Sequence, residues 1–121
     1  VLLLAAAYKQ KGRPSKAADI LEDSEQKFNN EKINFNLALA YEDLNKTEQA
    51  IEQYRKVKKE NDLVVKSQIN LALLLEKMGR NQEAAATLSN LKQFNNVSKE
   101  DLNKKIKELN QGRGIASEKA E

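Results

Sequence analysis

The segment Asn36–Tyr54, with the sequence NLALAYEDLNKTEQAIEQY, contains two apolar patterns separated by a short polar break. Before the break, Ala38 and Tyr41 lie at helical spacing, and after it Ala50 and Tyr54 do the same. The alanines allow two helices to approach closely, and the larger residues fill the space around them. The segment therefore predicts a hairpin of two packed helices.

The same pattern occurs three times in the chain. Six positions agree between the copies, first at an offset of 33 residues and then at an offset of 34. A fixed period of this length is typical of stacked helical repeats. The agreeing positions are Leu4, Ala5, Tyr8, Gly12, Ala17 and Leu21; Leu37, Ala38, Tyr41, Asn45, Ala50 and Tyr54; and Leu71, Ala72, Leu75, Gly79, Ala84 and Leu88.

This pattern resembles the tetratricopeptide repeat. That family has a large apolar, a small and an aromatic residue in its first helix, a glycine in the turn, and alanine with an aromatic residue or leucine in the second helix. The resemblance covers about residues 1–98 and implies an all-α fold, a right-handed superhelical stack of three hairpins. The family's tryptophan and closing proline positions are occupied differently here, by Val1, Asn34 and Gln68 and by Asn29, Asp62 and Asn96.

We expect a single domain over residues 1–110, followed by a flexible tail over residues 111–121. Its repeats span about residues 1–30, 31–64 and 65–98, and the second helix of the middle repeat runs from Thr47 to about Glu60. Ser98 precedes an acid by three residues and predicts the cap of a last helix. This capping helix, residues 99–110, carries Leu102, Ile106 and Leu109 on one face and most of its lysines, including Lys104 and Lys105, on the other.

The composition excludes several chemistries. The chain has no cysteine and no histidine, so it offers no disulfide, thiolate nucleophile, imidazole base or ordinary zinc site. Adjacent acids such as Glu42 and Asp43 point in different directions on a helix, and no glycine-rich phosphate loop is present. We therefore expect no catalytic residues, no metal, no cofactor and no enzymatic activity.

The opening Val1–Ala7 is apolar but has no preceding basic segment and continues in helical phase. It is too short to span a bilayer. We expect the chain to be part of a longer protein, with no signal or transmembrane segment in this part and the cytoplasm as the favoured location. Exposed leucines in this helix also suggest self-association through its end.

The resemblance implies that the first helix of each hairpin lines a concave groove that binds a partner. We predict an apolar floor, two asparagines that hold the ligand backbone, and charged edges. The alternatives are that the leucines pack inside the hairpins and that the asparagines form internal hydrogen bonds. The predicted groove residues are Phe35, Leu39, Ile69 and Leu73 for the floor, Asn36 and Asn70 for the backbone, and Lys32, Lys66, Glu42 and Asp43 for the edges.

The predicted function is a non-catalytic interaction module, a scaffold or adaptor that binds a peptide or amphipathic helix. An alternative is a structural segment of a larger assembly, with the groove filled by its own chain or by self-association. Basic clusters at 55–59 and 104–107 suggest nucleic acid, but acids lie among them and no aromatic residues interleave. We expect these clusters to be solvated helix faces, and no nucleic-acid partner.

Overall fold

The computed structural model describes residues 1–28 and 30–111, and every regular element in this part of the chain is a helix. The all-α prediction is therefore confirmed. The helices are α1 (Leu2–Gln10), α2 (Pro14–Lys27), α3 (Glu31–Asp43), α4 (Thr47–Arg55), α5 (Asn61–Lys77), α6 (Asn81–Ser89) and α7 (Lys99–Asn110), with a short 3-10 helix at Asn90–Gln93. None of these helices is both long and apolar enough to cross a membrane.

One turn geometry joins the two helices of each hairpin. Gly12, Asn45 and Gly79 have φ angles of 73°, 58° and 79°, in the left-handed region. In each turn the residue after this position donates its backbone N–H, at 2.8 Å, to a carbonyl five residues earlier. This bond and the accompanying shorter-range one form a Schellman motif, which ends a helix by satisfying its last carbonyls. The donor–acceptor pairs are Arg13 and Tyr8, Lys46 and Tyr41, and Arg80 and Leu75.

The chain divides into two compact units. The first unit spans Val1–Val64. In it α1 packs on α2, α2 on α3, and α3 on α4. The large side chains Leu21, Leu37, Ile51 and Tyr54 are almost completely buried here, beside the small Ala17, Ala18, Ala38 and Ala50.

The second unit begins at Val65 and contains most of α5, together with α6 and α7. Leu71, Leu75 and Leu91 are almost completely buried, and α6 packs on α7. The Ser98 Oγ accepts the backbone N–H of Asp101 at 3.3 Å, which confirms the predicted cap of α7.

The predicted end of α4 is wrong, because the helix stops at Arg55 rather than near Glu60. Here the carboxylate of Glu31 accepts the backbone N–H groups of Lys58, Lys59 and Glu60 at 2.7, 2.9 and 3.2 Å. A continued helix would need these three donors for its own hydrogen bonds. The carboxylate therefore takes the place of helical partners in this segment.

Some predictions fall outside what the structure tests. The predicted tail lies outside the described residues except for Gln111, and so does Asn29 at one of the proline positions. The repeat and domain boundaries stay predictions.

Candidate partner-binding site

An apolar cleft of about 460 Å³ lies in the second unit between α5 and α7. We call it the α5–α7 cleft. Apolar side chains from α5, α6, α7 and the segment before α7 form most of its lining: Val65, Ile69, Ala72, Leu73, Leu88, Val97, Leu102 and Leu109. A cleft of this size is large enough for apolar side chains of another molecule.

Two of the predicted groove residues lie on the α5 wall of this cleft. Ile69 is 38% exposed and Leu73 is 49% exposed. They are four residues apart on the helix and so share one face. The apolar wall is thus open to solvent in this structure.

A buried carboxylate lies in the lining of the α5–α7 cleft. The side chain of Glu76 is 3% exposed, and its Oε2 accepts a hydrogen bond from Lys105 Nζ of α7 at 2.9 Å. Lys105, which was predicted on the solvent-facing side of α7, is 37% exposed and also contacts α5. Burying a carboxylate costs free energy unless it is paired, and the Lys105 amine supplies this pairing. The ion pair therefore joins α7 to α5.

The other predicted residues on α5 lie beside the cleft wall. Asn70 is half-buried and Lys66 is exposed. Lys66 shares the exposed edge of α5 with Leu73, seven residues later. Neither residue lines the cleft itself.

A second cleft, of about 510 Å³, lies in the first unit between α1, α2 and α3. The predicted residues Asn36 and Leu39 line it together with small residues such as Ala5 and Ala6. The Asn36 Nδ2 donates to the backbone carbonyl of Lys32, one helical turn earlier, at 2.7 Å. Its amide donor is therefore used inside α3, as the alternative interpretation of the asparagines predicted.

The remaining predicted residues of the first unit mostly have internal contacts. The half-buried Phe35 packs edge-on against the Tyr54 ring, with centroids 6.1 Å apart. The Tyr54 hydroxyl donates to the Glu42 carboxylate, and Asp43 forms an ion pair of 3.4 Å with Lys9 of α1. Only Lys32, an exposed side chain of the first turn of α3, has no such side-chain contact in the part of the chain described.

A polar network that the sequence did not predict lies near these residues in the first unit. The buried Asn34 Nδ2 donates to Glu25 Oε2 at 2.8 Å and to Gln53 Oε1 at 3.0 Å. Lys56 Nζ pairs with the same Glu25 oxygen at 2.9 Å. The only sequence signal was that Asn34 occupies the family's tryptophan position, where a buried polar side chain needs partners.

Two ionisable groups of the first unit have shifted pKa values. Burial raises the pKa of Tyr41, and so does its hydrogen bond of 2.7 Å to Glu22 Oε1. Burial also acts to raise the pKa of Glu31, but the three backbone N–H donors of 58–60 outweigh it and lower the pKa below its usual value of 4.5. Both shifts follow from burial and from hydrogen bonds within the first unit.

The predicted floor residues thus lie in separate units, Phe35 and Leu39 in the first and Ile69 and Leu73 in the second. The first pair is half-buried, whereas the second pair is exposed in a mainly apolar cleft. Among the described residues, no group of three or more acidic side chains could hold a metal ion.

Comparison with known families agrees with the turn and the small-residue helix contacts of the α3–α4 hairpin. A sequence model described as tetratricopeptide repeat matches residues 31–61. Residues 31–61 therefore resemble a single tetratricopeptide repeat. The matched region covers α3 and α4, the hairpin that contains Asn36–Tyr54. No curated protein and no solved structure matches the chain. The tetratricopeptide repeat is typical of protein–protein interaction modules, and this is the functional class that the match supports.

Proposed function

We propose that the chain is a non-catalytic interaction module whose α5–α7 cleft binds an apolar stripe of a partner peptide or amphipathic helix. The observation that carries this proposal is the exposure of Ile69 and Leu73 within a mostly apolar cleft. Exposed apolar side chains that line a concave surface commonly mark a binding site. An amphipathic helix supplies apolar side chains at spacings of three and four residues, which suits a cleft between two helices.

The test uses a fluorescent synthetic helix of about 18 residues with a leucine stripe, and a scrambled peptide of the same composition that lacks the stripe. We expect the striped peptide to bind and the scrambled peptide not to bind. Leu73→Glu places a charge where an apolar side chain would be buried, so it should weaken binding at least tenfold. Fluorescence anisotropy measures both effects.

The matched control is Met78→Glu. Met78 is another exposed apolar residue of the second unit, at 38%, but it does not line the cleft. Met78→Glu should leave the affinity for the striped peptide within about twofold of that of the unmodified chain. Equal loss in the two variants, or equal binding of both peptides, would contradict the proposal, and circular dichroism checks that each variant keeps its helices.

A second candidate is self-association through α1. Leu3 is 88% exposed and Leu4 is 53% exposed, so this helix presents apolar side chains to solvent in the first unit. If a second copy covers them, light scattering should show a mass that rises with concentration. Leu3→Glu should abolish that rise, whereas a monomer at high concentration would remove this candidate.

Nucleic-acid binding is less favoured. One lysine of each basic cluster is used in an ion pair, Lys56 with Glu25 and Lys105 with Glu76. These pairs leave less positive charge for phosphate groups. Retention on heparin that exceeds the expectation for a net charge of +3 would reverse this preference.

A further inference from the structure

We infer that the segment bound in the α5–α7 cleft is an acidic amphipathic helix, whose carboxylates meet Lys66 and Lys77 on the α5 edge of the cleft. The inference rests on the proposed function and adds the chemistry of the partner's flank. It comes from the charges along the two edges of the cleft.

The α5 edge carries two exposed lysines around the apolar wall. Lys66 precedes Leu73 by seven residues and Lys77 follows it by four, so the three side chains share one edge of α5. The two lysines are about 16 Å apart along the helix at a rise of 1.5 Å per residue. They therefore bracket the exposed apolar residues.

The acidic residues of α5 do not cancel this charge. Glu76 is buried and paired with Lys105 of α7. Asp62 lies one turn before Lys66, at the end of α5 that is away from Leu73. Lys66 and Lys77 thus remain as the positive groups next to the apolar wall.

The α7 edge has mixed charge. Asp101 lines the cleft, and Glu108 lies 4.0 Å from Lys105, whose amine also pairs with Glu76. Lys104 lies between the two acids in sequence and is exposed. Acids and bases alternate on this edge, so it favours neither sign strongly. The asymmetry between the edges selects a partner with acidic residues on the side that faces α5.

The experiment compares two fluorescent helices with one leucine stripe, one with glutamates and one with lysines on its flanks. Exposed ion pairs are individually weak, so two of them should make the acidic peptide bind about tenfold tighter at low salt. The preference should shrink as salt is added, because exposed charges are screened.

The variant that tests the edge is Lys66→Glu with Lys77→Glu. Its control is Lys11→Glu with Lys92→Glu, two exposed lysines that do not line the cleft, which changes the net charge by the same amount. The first variant should lose or reverse the preference, and the second should keep it. Equal affinity of the two peptides for the unmodified chain, or equal loss of preference in both variants, would overturn the inference while the cleft remains a binding site. Binding of neither peptide would overturn the proposed function and the inference with it.

Discussion

Leu39 and Leu73 occupy the same place in successive first helices, but their surroundings differ. Leu39 is half-buried in a first unit where the nearby polar residues Asn36, Glu42 and Asp43 all have internal partners. Leu73 is 49% exposed in an apolar cleft. The repeat sets the position of a side chain, while its neighbours decide whether that side chain is available to a partner.

The two units also hold their helices together differently. In the first unit, Asn34, Glu25, Gln53 and Lys56 share a polar network between several helices. In the second, an ion pair between the buried Glu76 carboxylate and the partly exposed Lys105 joins α5 to α7 across the cleft. A network spreads the effect of a lost contact, whereas a single pair concentrates it.

The largest effect is expected at this ion pair. Lys105→Met keeps an apolar side chain but leaves the buried Glu76 carboxylate without its partner, which should cost about 3 kcal/mol of unfolding free energy. Chemical denaturation measures it. The control Lys104→Met removes an exposed lysine one residue away and should cost less than about 0.5 kcal/mol. Adding Glu76→Gln to Lys105→Met should recover part of the loss, and equal costs for the two lysines would show that the pair does not fix α7.

The polar network should show a smaller effect. Asn34→Ala removes a buried donor that serves both Glu25 and Gln53, and we expect a loss of about 2 kcal/mol. Asn36→Ala, two residues later, removes only a hydrogen bond within α3 and should cost less than about 0.5 kcal/mol. If the two alanine variants unfold at the same denaturant concentration, the polar network of Asn34 does not stabilise the first unit as described.

Sequence reasoning predicted the fold well because the repeat is read from apolar spacing and turn residues. The positions of Gly12, Asn45 and Gly79 were enough to predict three hairpin turns, and each turn has positive φ. The environment of the candidate site was less predictable. From the local pattern, Lys105 was expected to face solvent on an amphipathic helix. The sequence did not reveal its ion pair, because the partner Glu76 lies 29 residues away. Likewise, the early end of α4 depends on the carboxylate of Glu31, which no local pattern near residue 56 reveals.

The Glu31 contact should give a modest, pH-dependent effect. The carboxylate accepts three backbone N–H groups, so Glu31→Gln should lower the unfolding free energy by about 1 kcal/mol at neutral pH. This value takes into account that nearby water screens the charge. Because the folded-state pKa is lowered, this stabilisation is present above the usual pKa of 4.5 and is lost as the pH falls through the folded value.

The difference between wild type and Glu31→Gln in thermal or chemical unfolding should therefore shrink below pH 4.5. Glu52→Gln, at an exposed position of α4, serves as the control and should show a much smaller difference. A Glu31→Gln difference that stays constant with pH would mean that the charge of the carboxylate does not hold this segment.

The smallest effects are expected at the two hairpin turns of the first unit. Asn45 has a φ of 58°, which side chains other than glycine adopt at some cost. Asn45→Gly should therefore raise the unfolding free energy by about 0.5 kcal/mol. Gly12→Ala should lower it by about 1 kcal/mol through backbone strain alone, since an added Cβ meets nothing within 4 Å. Stabilisation by Gly12→Ala would show that the turns are not equivalent.

The most direct test of the central claim is a methyl NMR titration of the chain with the leucine-striped acidic peptide. The account predicts that the methyl signals of Ile69, Leu73 and Leu102 shift in a saturable way, while those of Leu39 and Leu21 stay unchanged. Saturable shifts confined to the first unit, or no shifts at any methyl group, would contradict it.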